Sequence, residues 1–169
     1  MKGFYHVPVA KNEPVKQYAP GSPERAELQE KLKTMRAEVR DIPMYIGGKE
    51  VRDGEKKSLH PPHDHQHLLG YYYKSEKQHV SQAIDAALAA KSAWANLSWE
   101  QRASIFLKAA DLIAGPYRAE LNAATMLGQS KNAFQAEIDS ACEIIDFLRY
   151  NVQFMTQIIT RQRPLPGTE

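Results

Sequence analysis

The chain has 169 residues, enough for one domain with a hydrophobic core but too few for a two-domain cofactor enzyme. Its 22 basic and 20 acidic residues give a net charge of +2 without any Lys/Arg-rich run, so nucleic-acid binding is not indicated. No stretch reaches the ~18 consecutive apolar residues of a membrane span, and the start of the chain lacks the apolar run of a signal peptide. We therefore expect a cytoplasmic protein that binds neither nucleic acid nor membrane.

The first predicted element is an extended arm, residues 1–21, which contains three prolines and shows little periodicity. A helix is expected to follow, because Ser22 can cap it and Pro23 suits its first turn. A β-hairpin is predicted at residues 44–52, where Gly47-Gly48 supplies the positive φ angles of a tight turn. The aromatic and apolar stretch Leu68 to Tyr73 predicts one further short strand.

Three more helices are predicted in the middle of the chain. Ser75 with Gln78, and Ser98 with Gln101, have the spacing of capping boxes. Gly115-Pro116 ends the second of these helices and begins the third. In the first of them an apolar face is formed by Val80, Ile84, Ala87, Leu88 and Trp94.

The last predicted helix is apolar on two opposite faces. The first face has the spacings of three and four residues that are typical of core packing. It consists of Ile138, Ala141, Ile145, Leu148, Val152, Met155 and Ile159. The second face consists of Ile144, Phe147, Phe154 and Ile158. A helix on the surface of a complete domain needs only one buried face, so we expect another part of a protein to cover the second.

Two residues of this helix have side chains of a kind that can take part in binding or catalysis. Glu143 lies on the second face, one turn before Phe147, where a carboxylate is costly to bury without a cationic partner. We therefore expect Glu143 to bind a ligand. Cys142 is the only cysteine, which excludes an internal disulfide and fits a reducing compartment, and we interpret it as a small buried side chain.

The sequence thus predicts an α+β, mainly helical fold with about five helices, the hairpin and one further short strand. The helical part is predicted at residues 22–160, followed by a polar tail at residues 161–169. Three strands are too few for a free-standing sheet, so part of the fold is expected to be missing from this chain.

Several other polar side chains have the residue types of a functional site. His60, His63, Asp64, His65 and His67 resemble a metal-binding cluster, but all lie in one proline-stiffened loop, and we predict no functional metal site there. His79 is predicted to have no carboxylate partner, and Glu137 and Asp139 are predicted to be solvated surface residues. No Gly-x-Gly-x-x-Gly, phosphate loop or Gly-x-Ser-x-Gly occurs.

The chain as a whole resembles the N-terminal part of Δ1-pyrroline-5-carboxylate (L-glutamate γ-semialdehyde) dehydrogenases, in the aldehyde dehydrogenase superfamily. Its first half carries the blocks Asn12-Glu13-Pro14, Gly21-Ser22-Pro23-Glu24-Arg25, Tyr45-Ile46-Gly47-Gly48 and Ala86-Ala87-Leu88-Ala89-Ala90 with Trp94. Its second half carries Arg102-Ala103, Phe106 to Asp111, Thr125 to Gln129, Lys131, Gln135 to Asp139, Glu143 and Ile145-Asp146-Phe147.

The resemblance implies oxidation of glutamate semialdehyde to glutamate with NAD, in the breakdown of proline. In this family a cysteine attacks the aldehyde, hydride passes to the nicotinamide, and a glutamate activates water. Those residues and the NAD site lie beyond the region that this chain resembles, and Cys142 does not match the nucleophile. Glu143 matches the family's contact to the α-ammonium group of the substrate. The chain alone is therefore expected to be an inactive N-terminal fragment. We expect the parent enzyme to be a homo-oligomer, or the fragment to self-associate.

Two other functions stay open on the residues alone. One is a stand-alone helical interaction module that binds a partner through the face from Ile144 to Ile158. The other is a small metal-binding module built on the histidine loop.

Overall fold

The computed structural model describes residues 7–161, and the side chains of that range up to residue 159. The helices are α1 (Pro23–Ala37), α2 (Lys77–Asn96), α3 (Trp99–Ala114), α4 (Arg118–Gln129), α5 (Ala133–Ala136) and α6 (Glu143–Arg161). A π-helical turn, Glu137–Cys142, connects α5 to α6 without a break. Counting α5, the π-helical turn and α6 as one rod, the described chain has the five helices expected.

Five short strands complete the described chain: β1 (Arg40–Ile42), β2 (Met44–Ile46), β3 (Lys49–Val51), β4 (Lys56–Leu59) and β5 (Gly70–Tyr73). Strands β2 and β3 form the predicted hairpin, with Gly47 and Gly48 at φ +58° and +77° in its turn. The other three form a mixed sheet in the order β1-β5-β4, in which β5 runs parallel to β1 and antiparallel to β4.

The prediction of a single strand besides the hairpin was therefore wrong, because β1 and β4 were missed. Both are three or four residues long and polar, so neither shows the alternation of a half-buried strand. Both exist because β5 offers two edges for pairing. Gly70 allows the close pairing with β1, since a Cβ atom there would lie 2.2 Å from the carbonyl oxygen of Arg40.

The predicted caps are confirmed for α1 and α3 but not for α2. Ser22 accepts a hydrogen bond from the Arg25 amide, and Ser98 with Gln101 forms a capping box. In α2 the N-cap is Glu76 rather than Ser75, and the Glu76 amide donates to Nδ1 of His79 at 3.0 Å. The buried imidazole takes the place that Gln78 was expected to fill.

Two groups of apolar residues form the core. The first lies where α1 and α4 pack together beside the mixed sheet, and it contains Tyr18, Leu28, Met35, Leu69, Ala123 and Leu127. The second lies where α3 packs on α6, and its fully buried members include Ala110 and Ile145. The N-terminal arm has no regular secondary structure from residue 7 to residue 19.

The first apolar face of the last helix is buried only in its middle. Ala141, Ile145 and Val152 are buried as expected, but Ile138 and Ile159 are 37% and 39% exposed, against the prediction. Ile138 lies in the π-helical turn, where the chain turns with a longer period than an α-helix, so a pattern of threes and fours fails there.

The second apolar face of α6 is uncovered, and so is much of the apolar face of α2. Ile144, Phe147, Phe154 and Ile158 are 43–58% exposed. Val80, Ile84 and Leu88, predicted to form a face of α2, are more than half exposed as well. Between them, the two faces place these seven large apolar side chains on the exposed surface of the described residues.

Some predictions fall outside the described residues. They concern the start of the arm, residues 1–6, and the polar tail from residue 162 onward. Arg161, predicted as the first tail residue, is the last residue of α6. Within the described chain, no helix is long and apolar enough to cross a membrane.

We predict that this chain self-associates through the uncovered face of α6, since large apolar patches are uncommon on soluble monomers. Replacing Phe147 and Phe154 by serine should reduce both the apparent mass in light scattering and the fluorescence of a bound hydrophobic dye. Phe134→Ser is the matched control, because Phe134 is 58% exposed but belongs to α5 and lines neither of the cavities that border that face. A strictly monomeric wild-type chain that binds no dye would contradict the prediction.

Candidate functional site

An open cavity of about 510 Å³ is lined by the N-terminal arm and by the start of the last helix. The arm contributes Asn12, Glu13 and Val15. The helical side contributes Ile138, Asp139, Cys142, Glu143, Asp146, Phe147, Tyr150, Asn151 and Phe154. The lining combines aromatic and aliphatic side chains with several carboxylates, so it suits a ligand that carries both a cation and a short apolar chain.

Glu143 differs from the other carboxylates of this cavity. Glu13 is paired with Arg118 and Arg149, and Asp139 bonds Lys131 at 2.9 Å. Asp146 accepts hydrogen bonds of 2.7 Å from the Asn12 side chain and the Glu13 amide. Among the described residues, the Glu143 side chain makes neither a hydrogen bond nor an ion pair, and it is exposed. Its negative charge is therefore available to a ligand.

The π-helical turn fixes where Glu143 lies. The Glu143 amide donates to the carbonyl of Ile138, five residues earlier, which is the hydrogen bond of a π-helix. A turn of this kind changes the direction in which every later side chain of the helix points. It buries Glu137 at its first position and leaves Glu143 on the cavity immediately after its last.

Glu137 is the centre of a buried polar network, so its predicted role as a solvated surface residue was wrong. Its carboxylate is fully buried and paired with the buried guanidinium of Arg118. It also accepts hydrogen bonds from the hydroxyl of Tyr18 at 2.7 Å and from the side-chain amide of Asn122 at 2.7 Å. Asp139 is the solvated residue of the two.

Burial alone would raise the pKa of Glu137, because an ionised carboxylate loses its water there. The hydrogen bonds from Arg118, the Lys16 amide and Tyr18 outweigh this effect and hold the pKa below its usual 4.5. The carboxylate is therefore ionised in the folded chain at neutral pH. Breaking a buried pair of this kind leaves an uncompensated charge, which costs about 3–5 kcal/mol.

The same network anchors the arm. The Lys16 amide donates to Glu137 at 2.8 Å, and Arg118 donates to the carbonyl of Pro14 at 2.8 Å and to the Glu13 carboxylate. Tyr18 lies buried with φ +50°, a conformation unusual for a residue other than glycine. The arm thus gains from side chains the hydrogen bonds that it does not make in a strand or helix.

Cys142 is buried, as predicted. Burial raises the pKa of its thiol to about 11, and the nearby Glu137 carboxylate acts in the same direction. A thiol of this kind is almost wholly protonated at neutral pH, so it is a poor nucleophile.

Three histidines, His60, His63 and His67, hold the histidine-rich loop against its neighbours. In the histidine-rich loop, His60 and His67 bond the backbone carbonyls of His67 and Arg36, and His63 bonds the hydroxyl of Ser130. Over residues 7–159, no group of three or more His, Cys, Asp and Glu side chains is arranged to hold a metal ion. The prediction that His79 lacks a carboxylate partner was wrong, since its Nε2 lies 3.4 Å from Asp53.

Sequence reasoning missed the contribution of the arm to the cavity and the pairing of Glu137 with Arg118. The signal for the arm was present in the block Asn12-Glu13-Pro14, which places polar side chains and a rigid residue in an otherwise featureless segment. No local pattern connects residues 118 and 137, because their pairing depends on how α4 packs against the π-helical turn.

Comparison with known proteins adds independent information. Residues 50–168 match the aldehyde dehydrogenase family. The Δ1-pyrroline-5-carboxylate dehydrogenase of Agaricus bisporus is 45% identical over 95% of this chain, and the human mitochondrial enzyme of that name is 42% identical over 89%. These matches confirm the resemblance inferred from the sequence blocks. The chain spans only 30% and 27% of the length of these two relatives.

Solved structures agree with the sequence matches. The Mycobacterium tuberculosis Δ-pyrroline-5-carboxylate dehydrogenase, determined with bound NAD, superposes with a TM-score of 0.94 at 47% identity. The match covers 99% of this chain and 31% of that protein. A Thermus 1-pyrroline-5-carboxylate dehydrogenase with bound NAD gives a TM-score of 0.85 at 29% identity. The fold is thus a partial aldehyde dehydrogenase fold, as predicted.

We predict that Glu137→Gln lowers the free energy of unfolding at pH 7 by about 3 kcal/mol, because the buried Arg118 loses its main counter-charge. The stability from Glu137 exists above its pKa in the unfolded chain and is lost as the pH falls through the lower folded value. Wild-type stability should therefore decline below about pH 4.5, and the variant should decline less steeply.

Urea unfolding at a series of pH values measures both effects. Asp139→Asn is the control, since it removes only an exposed ion pair and should cost less than about 1 kcal/mol. If the two variants lost the same free energy of unfolding, the buried network would contribute no more to stability than an exposed ion pair.

Proposed function

The chain belongs to the aldehyde dehydrogenase family, and we propose that it forms the N-terminal part of an enzyme that oxidises L-glutamate γ-semialdehyde to L-glutamate with NAD. The relatives that match nearly all of this chain carry the name of that activity. They are about three times as long as the matched region, so the proposal concerns a longer protein. A cytoplasmic location and a homo-oligomeric assembly are part of the proposal.

The observation that carries the proposal is the unpaired carboxylate of Glu143 in the cavity. L-Glutamate γ-semialdehyde has an α-ammonium group at the end opposite its aldehyde, and a carboxylate without a competing cation is suited to bind it. The apolar side chains of Phe147 and Ile138 line the same cavity and suit the methylene groups of the substrate. Glu143 would therefore hold and orient the substrate and take no part in bond making or breaking.

The reaction itself needs groups that the described residues do not supply. The aldehyde carbon must lose a hydride to NAD and gain an oxygen from water, which requires a nucleophile, a base and a dinucleotide site. The chain has no Gly-x-Gly-x-x-Gly fingerprint, and its one cysteine is buried with a raised pKa. We therefore assign substrate binding to this part of the enzyme, and assign NAD and the reacting groups to the rest.

We predict that the chain alone shows no NAD-dependent oxidation of glutamate semialdehyde, because it lacks an exposed thiolate and a dinucleotide site. The measurement is the absorbance of newly formed NADH at about 340 nm, with the purified chain at high concentration. Turnover that disappears in Cys142→Ala would overturn both the division of labour proposed here and the structural role of Cys142.

We predict that Glu143→Ala in the complete enzyme reduces kcat/KM for glutamate semialdehyde. The reduction should correspond to a loss of about 1.5–3 kcal/mol of transition-state stabilisation, the usual contribution of a hydrogen bond to a charged group. Propanal has no ammonium group, so its kcat/KM should change much less. Steady-state kinetics with both aldehydes provide the comparison.

Glu30→Ala is the matched control for this experiment. Glu30 is an exposed glutamate on α1 and does not line the cavity, so its removal should leave both aldehydes unaffected. If Glu143→Ala reduced the oxidation of both aldehydes to the same extent, Glu143 would be a structural residue and the site assignment would be wrong.

A further inference from the structure

We infer that the arm segment Asn12–Val15 forms a specificity-determining wall of the cavity, which limits the room beside the ammonium end of the substrate. This inference rests on the proposed function and goes beyond it, because it assigns substrate selection to a part of the chain outside the helix that carries Glu143. Asn12, Glu13 and Val15 line the same cavity as Glu143.

A wall can select between ligands only if it is held in place. Val15 lies between two anchored backbone groups, the Pro14 carbonyl that accepts from Arg118 and the Lys16 amide that donates to Glu137. Both distances are 2.8 Å, and both partner side chains are buried. The backbone on either side of Val15 is thus fixed to α4 and to the π-helical turn.

A second set of bonds ties the arm to α6 close to Glu143. The Asn12 side chain donates to Asp146 at 2.7 Å and accepts from the hydroxyl of Tyr150 at 3.1 Å. The Glu13 amide also donates to Asp146, and the Glu13 carboxylate accepts from Arg149 at 2.6 Å. Arm and helix therefore act as one rigid unit at the cavity.

The one charged side chain of this wall, Glu13, is neutralised by Arg118 of α4 and Arg149 of α6. Partial burial acts to raise the pKa of Glu13, but the hydrogen bonds and charges of Arg149 and Arg118 outweigh this effect and hold the pKa below 4.5. Glu13 is therefore an ionised carboxylate that is already paired and does not compete with Glu143 for a cation. What the arm presents to a ligand at this point is the shape of its backbone and the side chain of Val15, which is 39% exposed.

The test uses the complete enzyme with Val15→Trp, which fills part of the cavity beside the substrate. We expect KM for glutamate semialdehyde to rise roughly tenfold, while KM for NAD and kcat/KM for propanal stay within about twofold of the wild-type values. Val15→Leu, a smaller enlargement, should change KM for glutamate semialdehyde in the same direction to a lesser extent. A general loss of structure would affect all three constants together.

Val9→Trp is the matched control, since Val9 lies in the same arm, is 77% exposed and does not line this cavity. The inference is overturned if Val15→Trp is folded and leaves KM for glutamate semialdehyde within about twofold of wild type, or if Val9→Trp raises it equally. Failure of the unaltered enzyme to oxidise glutamate semialdehyde would be a different result, because it would overturn the proposed function and with it this inference.

Discussion

The ion pair between Glu137 and Arg118 is the interaction on which the described structure depends most. It joins three segments that are far apart in sequence: the arm, α4 and the π-helical turn. Two charges are expensive to bury, and their attraction offsets that cost only when further hydrogen bonds complete the site. Tyr18, Asn122 and the Lys16 amide provide those bonds. The positive φ angle of Tyr18 is maintained because its hydroxyl is held within this network.

The elements that were predicted correctly are those whose signals are local. Ser22 and Ser98 cap their helices through contacts three residues away, and Gly47-Gly48 defines its hairpin within two residues. The exposed second face of α6 was also predicted, since it follows an α-helical period over most of its length, whereas the exposure of the α2 face was not. Local hydrogen-bonding chemistry and periodicity are sufficient in these cases.

The failures have one common cause, which is contact between distant residues. Strands β1 and β4 form because β5 pairs with both, and Glu76 replaces Ser75 as a cap because His79 is buried beside Asp53. The π-helical turn interrupts the period that placed Ile138 in the core and Glu137 at the surface. Glu143 was singled out from its position on the second face and from the family resemblance. The lack of a partner for its side chain among the described residues is the structural property that distinguishes it from Asp139 and Asp146.

The exposed apolar faces of α2 and α6 have a consequence for biosynthesis in the longer protein proposed here. An N-terminal part leaves the ribosome first, and chain growth at about 5–20 residues per second means that the remaining two thirds follow over tens of seconds. During that time Phe147 and Phe154 are without the segments that would cover them. The newly made part would then be a natural substrate for chaperones that bind exposed apolar segments during translation.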